Sequence, residues 1–155
     1  MSMLPVRCEM VAVLALSGSG PDTRILLLRR AGEYLHGAWS YVAGHIEAGE
    51  TAWQAARREL LEETGLAPAA LYATSFCEQF YDASHECIAV VPAFVARVAP
   101  DARVRLNGEH SAHRWLSLQD AAGEFPFGSQ RDLLAHVQRE FVEREPAAHL
   151  RMPDR

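Results

Sequence analysis

The chain has 155 residues, 49% of them hydrophobic, with a net charge of −5 and a pI near 5.8. That length suits one domain spanning 1–155 that buries roughly 70% of the surface its unfolded chain exposes. The absence of any basic run argues against polymeric nucleic acid as a partner, and Cys8, Cys77 and Cys87, in no metal-ligand spacing, point to a reduced, cytoplasmic protein with buried free thiols.

The first predicted element is a strand near 9–17. Its run Met10-Val-Ala-Val-Leu-Ala-Leu16, followed by Ser-Gly-Ser-Gly, imitates the apolar core of a secretory signal. It is too short to cross a membrane as a helix, and the charge before it is only Arg7 beside Glu9. A second apolar run, 24–30, follows a polar loop, so the two read as a hairpin of buried strands and no membrane partner is expected. A short strand follows near 40–43.

Residues 44–66 carry the densest pattern in the chain: Gly44, a lone Glu50, the pair Arg58-Glu59, the pair Glu62-Glu63, and a closing Gly65, with Leu60 and Leu66 at bulky apolar positions. Thr51 with Gln54 makes a capping box, and Gly65 suits a left-handed C′ position, which predicts a helix over about 52–64. On that helix Glu59, Glu62 and Glu63 share an arc of roughly 100°. Ala52, Ala55 and Ala56 continue the face, and their small side chains leave room for the Gly44 loop to pack beside the acids. Like charges at this spacing cost a few tenths of a kcal/mol in a bare helix, and a cation removes the penalty. Carboxylate oxygens suit hard ions, so Mg²⁺ is the expected cofactor and Mn²⁺ its substitute. Arg58, four residues before Glu62, is placed to orient that carboxylate.

Two long apolar runs, 72–81 and 87–98, flank the polar turn Asp82–Glu86 and predict a second hairpin. Shorter strands are expected at 103–106 and 113–116. A second helix is expected from Ser129, whose Ser-x-x-Asp132 spacing is a capping signal, to Pro146, with Leu133, Leu134, Val137 and Phe141 on its inner face. Residues 147–155 lack periodicity and are expected to form a flexible tail. The order of elements implies an α/β fold, a mixed β-sheet with helices on its faces.

The spacing G-x5-E-x7-R-E-U-x-E-E-x-G-U, with U a bulky apolar residue, is matched at every defined position of 44–66. It resembles the Nudix box of Nudix hydrolases, and chance would produce it at odds on the order of one in ten million per chain. The resemblance implies the three-layer α/β/α Nudix sandwich and cleavage of a phosphoanhydride in a small nucleotide or pterin phosphate. It implies Glu59 and Glu63 as metal ligands, Glu62 sharing ligation or deprotonating water, and the Gly44 carbonyl at the metal. Glu50 is expected to tie the loop to the helix through Arg58. Glu109 is a candidate to complete the metal site or act as base. His45, directly after the box glycine, is placed to meet a phosphate.

Glu109-His110 through Trp115-Leu116, together with Ser129-Gln130-Arg131, is similar to features of bacterial dihydroneopterin triphosphate and dATP pyrophosphatases, although Phe125-Pro-Phe127-Gly stands where those carry tryptophan. This favours release of pyrophosphate and a monophosphate from a nucleoside or pterin triphosphate. Tyr81 and Phe127 are candidate platforms for a flat ring, with Phe80 expected in the core, and Arg131 at a helix start is a candidate phosphate ligand. Other enzymes of the same fold act on ADP-ribose, nucleotide sugars or dinucleoside polyphosphates, and some are metabolite sensors that no longer cleave. Intact box acids weigh against a sensor. Homodimers are common in the family, but no stretch of this sequence marks an interface.

Overall fold

A computed structural model describes residues 1–155. Its centre is strand β2 (Met10–Ser17), whose apolar run is buried on both faces, as expected of a strand sandwiched between helical layers. β2 pairs parallel with β7 (Cys87–Arg97) along one edge. Its other edge is shared antiparallel between β5 (Val42–His45) and β3 (Arg24–Arg30). β1 (Val6–Arg7) also joins β7 in parallel, and β6 (Ala70–Asp82) joins it antiparallel. β3 carries both β4 (Trp39–Ser40) and β8 (His110–Leu116) antiparallel to it. The result is one mixed eight-stranded sheet.

Alternation along the strands sorts the core into two layers. Ala12, Leu14 and Leu16 of β2, with Ile25 and Leu27 of β3, pack against Leu118, Leu133, Leu134 and Phe141 on one face. Val11, Val13 and Ala15, with Leu26 and Leu28, pack against Ala55, Ala56 and Leu60 on the other. The second layer belongs to α1 (Ala52–Thr64), and the first to α2 (Leu118–Glu124) and α3 (Gly128–Val137). This is the expected three-layer α/β/α sandwich. No helix is long and apolar enough to cross a membrane.

Several expectations are corrected. The segment 103–106 is not a strand; the Arg105 amide instead caps the end of α1 by donating to the Thr64 carbonyl at 2.7 Å, and Val104 and Leu106 cover the α1 core. β8 begins at His110, earlier than expected, because it pairs with β3 as far as Arg30 through a bulge. α2 was not expected: about two turns give too little periodicity, although Ser117 caps it by accepting from the Asp120 amide at 3.1 Å. α3 is capped at Phe127 rather than Ser129, and it widens into a π-turn over Gln138–Val142 before Pro146 is reached. The tail is not loose: a 3₁₀ turn at Ala148–Leu150 leads to a bridge between Arg151 and Tyr72, and the Met152 amide donates to Leu71 at 2.8 Å. Of the thiols only Cys87 is buried, while Cys8 and Cys77 are exposed.

Candidate functional site

α1 forms as its sequence dictates. The Thr51 hydroxyl accepts from the Gln54 amide at 3.2 Å, the Gln54 side chain accepts from the Thr51 amide at 2.8 Å, and Gly65 ends the helix at φ 72°. The helix thereby presents its acids beneath the β5 end that carries Gly44. A β-carbon added at Gly44 would lie 2.1 Å from the Glu59 carboxyl carbon, so only glycine leaves space for that carboxylate.

Arg58 braces the loop and the acids together. Its guanidinium holds Glu50 through two bonds, Nη2 at 2.6 Å and Nε at 3.1 Å, and donates to Glu59 at 2.8 Å and Glu62 at 3.3 Å. It also donates to the His45 carbonyl at 2.8 Å. The Glu50 carboxyl is held below the usual range, first by Arg58 and next by the Glu47 amide. Glu50 thus ties loop to helix, and Arg58 positions acids rather than facing substrate.

The acids differ in burial. The Glu62 side chain is about half exposed, whereas Glu63 is 2% exposed and its Oε2 has no hydrogen-bond partner. Burial first, then the charges of Glu109 and Glu59, push the Glu63 carboxyl up to about 9. Glu109, Glu63 and His110 bring ligand atoms within 4.8 Å of one another. The Glu109 loop is fixed by its carbonyl, which accepts from the Ala31 amide at 3.0 Å, and by its amide, which donates to the Asn107 side chain at 3.1 Å. His110 Nδ1 lies 3.6 Å from Glu63, but burial lowers the basicity of the ring, which makes it a poor counter-charge for an ionised Glu63. A buried oxygen without a donor, surrounded by further carboxylates, is the environment a hard cation relieves. The residues fit a divalent metal, which Glu59, Glu62 and Glu63 would hold with Glu109 close by.

A cleft lies on the side of Arg30 and His45, and none of the α1 acids lines it. One part, about 400 Å³, is lined by Arg7, Arg30, Tyr34, His45 and Phe80. The other, about 430 Å³, is lined by Trp39, Tyr41, Glu78, Tyr81, Phe127 and Ser129 among others, and shares Arg30, Tyr34 and Phe80 with the first. His45 lines the first of these cavities, and Tyr81 and Phe127 line the second. Phe80 does not enter the core: it is 39% exposed on the cleft wall. Arg131 is not brought to the cleft, because its guanidinium donates to the Phe125 carbonyl at 2.8 Å and lines a separate groove beside Leu118 and Gln119.

Sequence reasoning missed Arg30, which sits at the β3 bulge opposite His110 and whose charge acts on both Glu63 and His110. In sequence it reads as the end of an apolar strand, and only the β3–β8 pairing brings it to the acids. Glu78 was also missed. It lies in an alternating strand with no motif around it, and is buried at 7% exposure.

The NUDIX domain family model matches residues 9–144. Over 131 residues, 83% of this chain, the sequence is 38% identical to an octanoyltransferase of Myxococcus xanthus, but the match spans only 35% of that protein's length. It is 34% identical to the asymmetrical bis(5'-nucleosyl)-tetraphosphatase of Sus scrofa over 110 residues, covering 70% of this chain and 74% of the relative. Among solved structures, the dihydroneopterin triphosphate pyrophosphohydrolase of E. coli superposes with a TM-score of 0.68 at 25% identity, covering 91% of this chain and 99% of that one. With the box acids assembled on α1 and the family model spanning nearly the whole sheet, the chain belongs to the Nudix hydrolase family.

Proposed function

We propose that this protein hydrolyses a phosphoanhydride bond in a nucleoside or dihydroneopterin triphosphate, with Mg²⁺, releasing pyrophosphate and a monophosphate. The observation that carries the reading is the acid face of α1 beside a cleft with aromatic walls, the two linked by Arg30, which lines the cleft and whose charge acts on Glu63, and by His45, which lines the cleft and whose carbonyl is held by Arg58. Phosphoanhydride cleavage asks a protein for charge neutralisation, an aligned water and a base, and little covalent work. Bound divalent metal supplies the charge neutralisation and acidifies water.

The chain's own residues do the rest. Glu59, Glu62 and Glu63 hold the metal, and Arg58 keeps Glu59 and Glu62 aimed. Arg30 sits between acids and cleft, where a phosphate chain bridging the two would pass, and His45 borders the same space. Glu109, exposed at the rim of the acid cluster, is suited to take the proton of the attacking water. Phe80, Tyr81 and Phe127 offer faces to a flat ring.

A second reading is cleavage of a dinucleoside polyphosphate. It is favoured by the similarity to the Sus scrofa tetraphosphatase. The test is ³¹P NMR of products with Mg²⁺ from a panel holding dihydroneopterin triphosphate, nucleoside triphosphates, ADP-ribose and diadenosine tetraphosphate. Pyrophosphate plus a monophosphate from a triphosphate is the expected result. Preferential cleavage of the dinucleotide supports the second reading, and binding of one compound without turnover of any would make the protein a sensor.

A further inference from the structure

We infer that Glu78 reads the ring of the substrate, and that the ring presents two adjacent N–H donors, the 2-amino-4-oxopyrimidine edge that guanine and pterins share. The inference rests on the reading of the cleft as a substrate site and narrows it. Glu78 is a carboxylate at the wall of the 430 Å³ cavity, buried to 7% exposure. No arginine or histidine lies within ion-pairing distance of it. Two hydroxyls serve it instead: Tyr41 donates to Oε1 at 2.7 Å and Ser129 donates to Oε2 at 2.6 Å. Burial, then the charge of Glu78, raise the Tyr41 hydroxyl far above the usual phenol range, so it remains a donor.

A carboxylate offers about four lone-pair sites. One on each oxygen is taken, which leaves one on each as the pair open to the ring on this inference. Two parallel N–H groups fill such a pair, as in a bidentate guanidinium contact. The 2-amino-4-oxopyrimidine edge supplies them through its ring N–H and its exocyclic amine. Adenine and cytosine offer one donor beside one acceptor, and uracil offers one donor flanked by acceptors, so each would set a lone pair or leave a gap against the carboxylate. Trp39, Phe80, Tyr81 and Phe127 line the same cavity as this carboxylate, and Arg30 lines both this cavity and the one that His45 borders. On this inference a ring seated on Glu78 extends its phosphates toward Arg30, whose charge acts on Glu63.

The alternative is that Glu78 only braces β6 to Tyr41 and the first turn of α3. The two differ in what Glu78→Gln does. Glutamine keeps the shape and one acceptor but replaces the other with a donor, which suits adenine and opposes guanine. Equilibrium binding of GMP and AMP without metal is measured for wild type, Glu78→Gln and Ser129→Ala, with thermal melts to confirm folding. Wild type is expected to favour GMP by at least about tenfold; Glu78→Gln abolishes or inverts that ratio, and Ser129→Ala keeps it because both carboxylate oxygens remain. Sites built to pair a ring N–H reject analogues by far more than apolar pockets do. Equal binding of GMP and AMP by wild type, or a ratio unchanged in Glu78→Gln, overturns the inference. Should Glu78→Gln fail to fold, the wild-type ratio and its persistence in Ser129→Ala decide. Hydrolysis is a separate readout: GMP selectivity without release of pyrophosphate from any triphosphate would sink the proposed reaction and leave the ring assignment standing.

Discussion

Two single residues show that this site is arranged for chemistry rather than for stability. At Gly44 an added methyl would lie 2.1 Å from the Glu59 carboxyl carbon, and the carboxylate, the free end of a flexible side chain, is what would have to move. Gly44→Ala is expected to displace Glu59 and lower kcat by about 10²-fold or more, the scale on which small misplacements of catalytic groups act, with little change in Tm. Kinetics and a melt of the same sample check both halves. Glu63 makes the complementary case. Its buried oxygen has no donor, and its neighbours Glu109 and Glu59 are also acids, so in the metal-free protein the carboxyl is held protonated and its ionisation is disfavoured. Glu63→Gln is expected to melt at the same temperature as wild type or higher without metal, and to lose the upward shift that Mg²⁺ gives the wild type. A large loss of metal-free stability would mean that Glu63 is structural. Glu62→Gln, more exposed and outside this buried knot, should fold normally and lose nearly all turnover.

At the scale of elements, what was legible in the sequence was what is local. α1 could be read because cap, acid spacing and terminating glycine all lie within one stretch, and β2, β3, β6 and β7 because long apolar runs admit little else. The clustering of Glu59, Glu62 and Glu63 on one helix was legible for the same reason. The cleft was not, because it is assembled by pairing: Arg30 meets His110 only across β3–β8, and Glu78 meets Ser129 only when α3 docks on β6. The Ser129 error is instructive. Its Ser-x-x-Asp spacing suggested a cap, but the hydroxyl is committed to Glu78, and Gln130 caps the Phe127 amide at 3.2 Å instead. The tail was misjudged because its hold is likewise long-range. Leu150 and Met152 pack on the two core layers, one on each, and Arg57 donates to the Pro153 carbonyl. Ending the chain after Pro146 is expected to cost about 1–3 kcal/mol from the apolar surface uncovered. A urea titration would register it as a lower midpoint, and an unchanged midpoint would show the tail to be dispensable.

The whole molecule keeps fold and chemistry on separate supports. Core layers lie on both faces of the sheet and contain no metal ligand except through the α1 backbone that carries the acids. Unlike a small zinc domain, whose folding is its metal binding, this chain buries enough apolar surface to fold by itself. Chelation is therefore expected to abolish turnover while leaving the circular dichroism spectrum and a single cooperative melt in place, and added Mg²⁺ should restore the rate. Leu14→Ala should do the reverse. Leu14 is fully buried at the centre of β2, in the layer facing α2 and α3, away from the acids. Its truncation should cost about 2–5 kcal/mol with kcat per folded molecule unchanged and the Mg²⁺ requirement intact. Because β2 joins both layers, unfolding should remain one transition. Two transitions in Leu14→Ala would mean that the α1 layer and its acids hold together without the opposite face, and unfolding on chelation would mean that metal, rather than the core, holds α1 in place.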